Sequence, residues 1–427
     1  MDRLFEKLAQ WRSASTLSLL SLALLVLLAA PARSADPCTI DLAPAATLLL
    51  PYFEIDPAHA TGMTTLLSIN NASAKAVIAN VSVWTDLGVA TYSFPVYLTG
   101  YDVETINLRD LFNGQLPRTA SAGQDPQDTI SPKGQYSQDI NFASCSALPL
   151  PALPAAFVAH LRAAHSGQFS SVLGGCAGQN LGDGRLRGYV TVDTVSACAP
   201  LAPGDPGYFG PGGIVTNDNV LWGDYFYVDP DNKYSDGENL VRIKAFPGTF
   251  KQGDLTFYGR YVGQSGADNR QPLPTTWGSR YVNGGIFSGG TDVLVWRDSG
   301  RIVKPFPCGT QPAGFPLAFA GEFTFDEQEH AQAIPLTPVP PGQQPPGPAP
   351  GAFGAEANRV HVGGASFPVP FNFGWFFLEL DNLVQPGVVS QSWVETVMKA
   401  QGQYSVGFSA TPFANGCEQF PRNRPGG

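Results

Sequence analysis

KAVIANVSVWTD, residues Lys75–Asp86, carries the signal that decides the fold. Ile78, Asn80, Ser82 and Trp84 alternate with Val77, Ala79, Val81 and Val83. Successive side chains of a strand point to opposite faces, so period two with one apolar set predicts a half-buried β-strand. Runs of the same kind surround it: ATLLLPYFEI (Ala46–Ile55), MTTLLSIN (Met63–Asn70), ATYSFPVYL (Ala90–Leu98) and YDVETINL (Tyr101–Leu108). Gly, Pro, Asn or Asp bounds each run, which is the pattern of a sandwich of short strands. DLFNG (Asp110–Gly114) suits a single helical turn closing that unit.

The same reading extends along the chain. RLRGYVTVDTV (Arg185–Val195), NVLWGDYFYV (Asn219–Val228), ENLVRIKAF (Glu238–Phe246), DLTFYGRYV (Asp254–Val262), SRYVNGGIF (Ser279–Phe287), DVLVWRD (Asp292–Asp298) and LAFAGEFTF (Leu317–Phe325) all fit strands. So do FGWFFLEL (Phe373–Leu380), SWVETVMKA (Ser392–Ala400) and QYSVGFSA (Gln403–Ala410). The best helix is Leu153–Gly167. Pro154 suits its first turn, Phe157, Leu161 and Ala164 share a face, and Gly167 ends it. Eight prolines fall within 334–351, a segment that cannot pack a core and is expected to be a surface loop. The expected fold is mainly β: two β-sandwich-like domains, 36–142 and 143–427, with one short helix between them and the Pro-rich loop within the second.

Composition agrees with this reading. The chain has 427 residues with 47 Gly and 38 Pro, which disfavours long helices. Residues 1–35 have the form of an export signal, a basic start followed by the apolar run LSLLSLALLVLLAA (Leu17–Ala30) and small residues at Ala32, Ser34 and Ala35. Cleavage there is expected, leaving no membrane span, although 13–32 is also long enough to be kept as an anchor. The leader carries Arg3, Lys7, Arg12 and Arg33 against Asp2 and Glu6, so its loss takes the net charge from −10 to −12. Such a chain lacks the positive footprint that nucleic acid requires. The expected location is the periplasm, the cell surface or the medium. Six cysteines follow the leader: Cys38, Cys145, Cys176, Cys198, Cys308 and Cys417. An even, scattered set in an exported chain reads as three disulfides, with Cys145–Cys176 preferred for its short separation.

LRGYVTVDTV, NVLWGDYFYVDP, YVNGGIFSGGTDVLVWRDS and QYSVGFSATPFANGC resemble segments of exported proteins of Gram-negative bacteria that have no assigned activity. The likeness spans most of Cys38–Cys417. It implies export and one continuous mature chain, and it carries over no functional residue.

Candidate chemistry centres on LWGDYFYVDPDNKYSDGENLVRI (Leu221–Ile243). Asp229, Asp231, Asp236 and Glu238 could offer oxygens to calcium, the one ion that the chain suggests; no other cofactor is expected. The spacing does not match an EF-hand, because Tyr234 stands where the loop needs Gly and Leu240 where it needs an acid. Asp-Pro-Asp-Asn and Ser-Asp-Gly are turn chemistry, so the simpler reading is a hairpin-like unit with YFYV and LVRI as its strands. For glycoside hydrolysis, Asp193, Asp224, Asp292 and Glu379 would have to converge as a carboxylate pair across a groove. No G-x-S-x-G elbow or H-E-x-x-H motif is present. His160 and His165 lie about 140° apart around a helix and cannot grip one ion. No catalytic residue is assigned. The expected function is binding or structural, with an unknown protein or polysaccharide as partner and Trp222, Tyr225, Tyr227 and Tyr234 as contact aromatics. The alternatives are a carbohydrate hydrolase and a calcium-stabilised adhesive module.

Overall fold

Val77–Thr85 is a strand, as its alternation requires, but both of its faces are covered. The computed structural model describes residues 40, 42–118, 143–148, 150–251, 253–262, 268–319, 321–333, 351–380, 390–400 and 404–414. The export leader, Cys38, Cys417 and all of the Pro-rich segment except Gly351 lie outside these residues.

Along the chain come β1 (Thr47–Ile55), β2 (Thr64–Asn71), β3 (Val77–Thr85), β4 (Ala90–Leu98), β5 (Val103–Asn107), α1 (Leu108–Phe112) and α2 (Ala155–His165). They are followed by β6 (Leu186–Val195), β7 (Leu221–Trp222), β8 (Asp224–Asp229), β9 (Tyr234–Asn239), β10 (Val241–Ile243) and α3 (Gly259–Val262). Next are β11 (Thr276–Val282), β12 (Gly290–Arg297), β13 (Leu317–Ala318), β14 (Gly321–Phe325), β15 (Ala331–Ala333) and β16 (Ala352–Phe353). The last five are β17 (Ala357–His361), β18 (Phe373–Glu379), β19 (Ser392–Ala400), β20 (Tyr404–Ser409) and β21 (Thr411–Ala414).

The fold is mainly β, built of antiparallel sheets that do not close into a barrel, consistent with a sandwich-like architecture. The four larger sheets have the orders β10-β1-β6-β3-β4, β5-β2-β8-β9, β17-β12-β19-β20 and β15-β14-β18-β11-β21. One apolar core runs through them, with Tyr52–Tyr227, Tyr189–Trp296 and Trp277–Trp393 as ring contacts from sheet to sheet. Pairing crosses the boundary expected near residue 142: β6 lies between β1 and β3. The described residues from Ile40 onward accordingly group as one compact unit.

Three local findings correct the sequence reading. First, β3 is buried on both faces because a polar layer covers its Asn80 and Ser82 side. Asn80 Nδ2 donates to the Leu201 carbonyl at 2.8 Å, and the Ser82 and Ser93 hydroxyls lie 2.9 Å apart. Second, DLTFYGRYV is not a strand. Its aromatics have strand propensity, but the Asp268 carboxylate accepts the Tyr258 N–H at 2.8 Å and the chain turns into α3. Third, Cys145 pairs with Cys198 and Cys176 with Cys308, so the preferred Cys145–Cys176 bridge is replaced. A β-bridge between Cys176 and Phe306 brings Cys308 to Cys176. The Cys198 N–H donates to Ser144 Oγ at 3.0 Å, which seats Cys198 beside Cys145. Spatial pairing thus overrides nearness along the chain.

The expected helices form. Asn107 caps α1 by accepting the Arg109 N–H. Pro154 stands at the N-cap of α2, and Gly167 follows its end at φ +68°. Among the described residues, no helix is long and apolar enough to cross a membrane.

Candidate functional site

Pro51 is the first residue that positions the site. β1 is a central strand between β10 and β6, where a residue without an N–H must sit at a ladder irregularity. The β1–β6 register breaks there: Leu50 faces Val190 and Phe53 faces Gly188, leaving Pro51 and Tyr52 opposite Tyr189 alone. This bulge inserts one residue and inverts the alternation that follows. Without it, Glu54 would share the face of Leu48 and Leu50. With it, Glu54 is cross-strand from Arg187, and Phe53 and Ile55 take the core side.

Glu54 lies in a cleft of about 1060 Å³ lined by segments distant along the chain. Tyr52 and Glu54 come from β1. Asp229, Asp231, Asn232, Lys233 and Tyr234 come from the β8–β9 turn. Asp292, Arg359 and Lys399 come from β12, β17 and β19, Asp183 and Arg185 from the approach to β6, and Arg187 from β6 itself. Asp86 and Gln179 complete that last side.

The charged groups interlock. Glu54 accepts from the Tyr52 hydroxyl at 2.9 Å and from Arg185, with Arg187 at 3.5 Å and Arg359 at 3.6 Å. Asp292 accepts from Arg359 Nε at 2.7 Å and Lys399 Nζ at 2.6 Å, and it meets His361 Nδ1 at 3.0 Å. These partners are cross-strand neighbours on one sheet face, so pairing itself assembles them. Arg359 joins the two carboxylates, and its guanidinium stands 5.5 Å from the centre of the Tyr234 ring.

Burial opposes the charge on Glu54, but Arg359, Arg187 and Arg185 more than offset it and hold the carboxyl below its usual range. Asp292 is held low in the same way, burial being outweighed by Arg359 and Lys399. The hydrogen bond from Arg187 brings Asp183 down to about 2. Asp86 moves the other way. Burial pushes it up to about 7, although its oxygens accept the Gln179 N–H at 3.1 and 3.3 Å.

The β8–β9 hairpin explains the acidic stretch. Asp229 ends β8, and its carboxylate accepts the Asn232 N–H at 3.3 Å and Asn232 Nδ2 at 2.8 Å. Lys233 takes φ +50° as the turn closes onto β9. Asp231 sits in the turn beside the cleft. Asp236 faces away to β20, where it accepts the Gly407 N–H and burial raises it to about 6. Glu238 accepts from its neighbour Asn239 at 2.9 and 3.1 Å. The four calcium candidates therefore do not converge. Among the described residues, no group of three or more His, Cys, Asp or Glu side chains is arranged to hold a metal ion. Ser-Asp-Gly lies within β9 instead of turning, and LVRI belongs to β10 in another sheet.

The other acids also separate. Asp193 is fully buried, accepting from Thr47 at 2.5 Å, Tyr208 at 2.6 Å and Tyr258 at 2.7 Å, with Arg270 at 3.4 Å. It fastens the polar layer to its sheet. Asp224 accepts from Ser68 Oγ at 2.7 Å, and Glu379 sits on β18 between Thr276 and Gly321. Of the four hydrolase candidates, only Asp292 lines the cleft. Tyr225 and Tyr227 are buried, the latter donating to the Tyr52 carbonyl at 2.7 Å, so neither offers a contact surface. Trp222 is partly exposed, and Tyr234 lines the cleft.

Sequence reasoning missed Glu54, Asp86, Arg359 and Lys399. Asp183, Arg185 and Arg187 recur with period two on the way into RLRGYVTVDTV and share a side, a signal that the strand reading alone passes over. Pro51 within a strand was the one visible sign of the bulge. Comparison of the chain with family models, curated proteins and solved structures yields no match.

Proposed function

We propose that this chain is an exported, non-catalytic binding protein that holds a polar ligand in the cleft. The observation carrying the proposal is the state of its two central carboxylates. Hydrolysis by a carboxyl pair needs one group that keeps its proton near neutrality and one that does not. Glu54 and Asp292 are both held ionised by the cations around them. Asp86, the raised carboxyl, is 2% exposed and directs its oxygens at the Gln179 N–H. A preorganised set of charged donors and acceptors beside Tyr234 and Tyr404 suits recognition, because ordered polar groups lose little freedom on binding. The two disulfides fit an oxidising compartment, namely the periplasm, the cell surface or the medium.

Ser288 is exposed and lines the cleft, so Ser288→Trp would fill it without entering the core. The test is calorimetric titration of polysaccharide fragments into native and Ser288→Trp protein, with mass spectrometry of the sugars afterwards. Binding that Ser288→Trp abolishes, with every fragment recovered intact, is expected. Fragment cleavage that Asp86→Asn or Asp292→Asn stops would replace the reading with a hydrolase.

A further inference from the structure

Hydrogen-bond capacity is distributed unevenly in the cleft, and resting on the binding reading above, we infer that its ligand is an acidic oligosaccharide, a chain of sugars bearing carboxylates. Most of the lining carboxylates are already satisfied from within. Glu54 is occupied by Tyr52 and three arginines, and Asp292 by Arg359, Lys399 and His361. Asp183 takes Arg187 and the Arg185 N–H, Asp229 takes Asn232, and Asp86 takes Gln179. Among the described residues that line the cleft, Asp231 is the one carboxylate to which no hydrogen bond is made.

The cations retain donors. Arg185 uses one guanidinium nitrogen on Glu54 and has Nε and the other terminal nitrogen left over. Lys399 has three N–H groups and directs one at Asp292. Lys233, at φ +50° in the β8–β9 turn, lines the cleft and has no side-chain partner among the described residues. A cleft with vacant cationic donors and occupied acceptors recognises a ligand rich in acceptors, and carboxylate oxygens satisfy ammonium and guanidinium groups best. The walls include Tyr234 and the 45% exposed Tyr404. Such rings cover the apolar C–H faces of sugars, which a small dicarboxylic acid lacks. The cleft volume of about 1060 Å³ leaves room for more than one sugar unit.

The experiment compares a galacturonic acid oligomer with a neutral galactose oligomer of the same length. Both are titrated into the mature chain at low and at moderate salt. The acidic oligomer is expected to bind at least about tenfold more tightly, with an advantage that shrinks as salt screens the pairing. Lys233→Asn keeps a residue that tolerates the left-handed turn and should weaken the acidic oligomer about tenfold, one charge-assisted hydrogen bond. Equal or tighter binding of the neutral oligomer, or no effect of Lys233→Asn, overturns the acidic assignment and leaves the binding reading standing. Binding of both oligomers that Ser288→Trp does not diminish overturns both, because the contact would then lie outside the cleft. Binding of neither oligomer rejects the acidic assignment alone.

Discussion

Arg359 is the side chain on which the cleft depends most. It touches Asp292 and Glu54 and lies beside Tyr234, and Glu54 is almost completely buried. Removing one partner of a buried ion pair leaves the other charge uncompensated and typically costs about 3–5 kcal/mol. Arg359→Met should therefore lower the urea midpoint sharply, and adding Glu54→Gln should restore part of the loss. If the double variant were no more stable than the single one, Glu54 would not be the group that Arg359 neutralises. Glu395 is the opposite case. It is buried on β19, its Oε1 has no hydrogen-bond partner, and burial pushes it up to about 8. The unfolded chain loses this proton near pH 4.5, whereas the folded chain keeps it to about 8, so stability falls as pH rises between those values. Glu395→Gln should raise the melting temperature at pH 8 and change it much less at pH 5.

The β8–β9 hairpin shows what was readable from local chemistry. Asp-Pro-Asp-Asn was recognised as a turn because Asp229 can bind the Asn232 backbone, and it does. Gly237 misled the reading, since Gly beside Asp signals a turn. Here Gly237 pairs with Phe226, and a Cβ at 237 would lie 2.3 Å from the Phe226 ring. The residue is small so that the ring can cross it. Gly237→Val should displace Phe226 at a cost of about 1–3 kcal/mol, seen as faster amide exchange confined to β8 and β9. Unchanged exchange there would mean that Phe226, which is half exposed, simply rotates away. The bulge in β1 was less legible. Pro51 marks an irregularity, but only the register with β6 shows which way Glu54 turns.

Across the molecule, the two described disulfides close segments of 53 and 132 residues. Chain entropy assigns bridges of that span about 4 and about 5 kcal/mol. Reduction breaks both bridges in the native protein but only Cys176–Cys308 in Cys145→Ser, so it should lower the melting temperature less in the variant if the two contribute independently. Equal losses would show that Cys145–Cys198 adds nothing to stability beyond Cys176–Cys308. Opposed titrations set the pH profile. Asp86, Glu322 and Glu395 are raised to about 7, 8 and 8 by burial, so stability declines from about pH 5 toward pH 8. Glu54, Asp183 and Asp292 are lowered, so their stabilisation is lost as pH falls through the acid range below 4. Calorimetry should find maximum stability in mildly acidic buffer, and a maximum above pH 8 would contradict the burial of these acids.

Alternation in runs such as Val77–Thr85 was enough to establish a mainly β chain, because the period of a strand is a property of consecutive residues. The helix at Ala155–His165 was legible for the same reason, its apolar spacing and its flanking Pro154 and Gly167 all being local. Which strands pair is not a local property. β6 inserts between β1 and β3, and Thr47 meets Asp193 across 146 residues of chain. Only the assembled sheets bring Glu54, Asp292 and Arg359 together, and only spatial proximity joins Cys145 to Cys198. The physical reason is that side-chain direction is set by the neighbouring peptide units, whereas a cleft is made by contacts whose sequence separation no short pattern records.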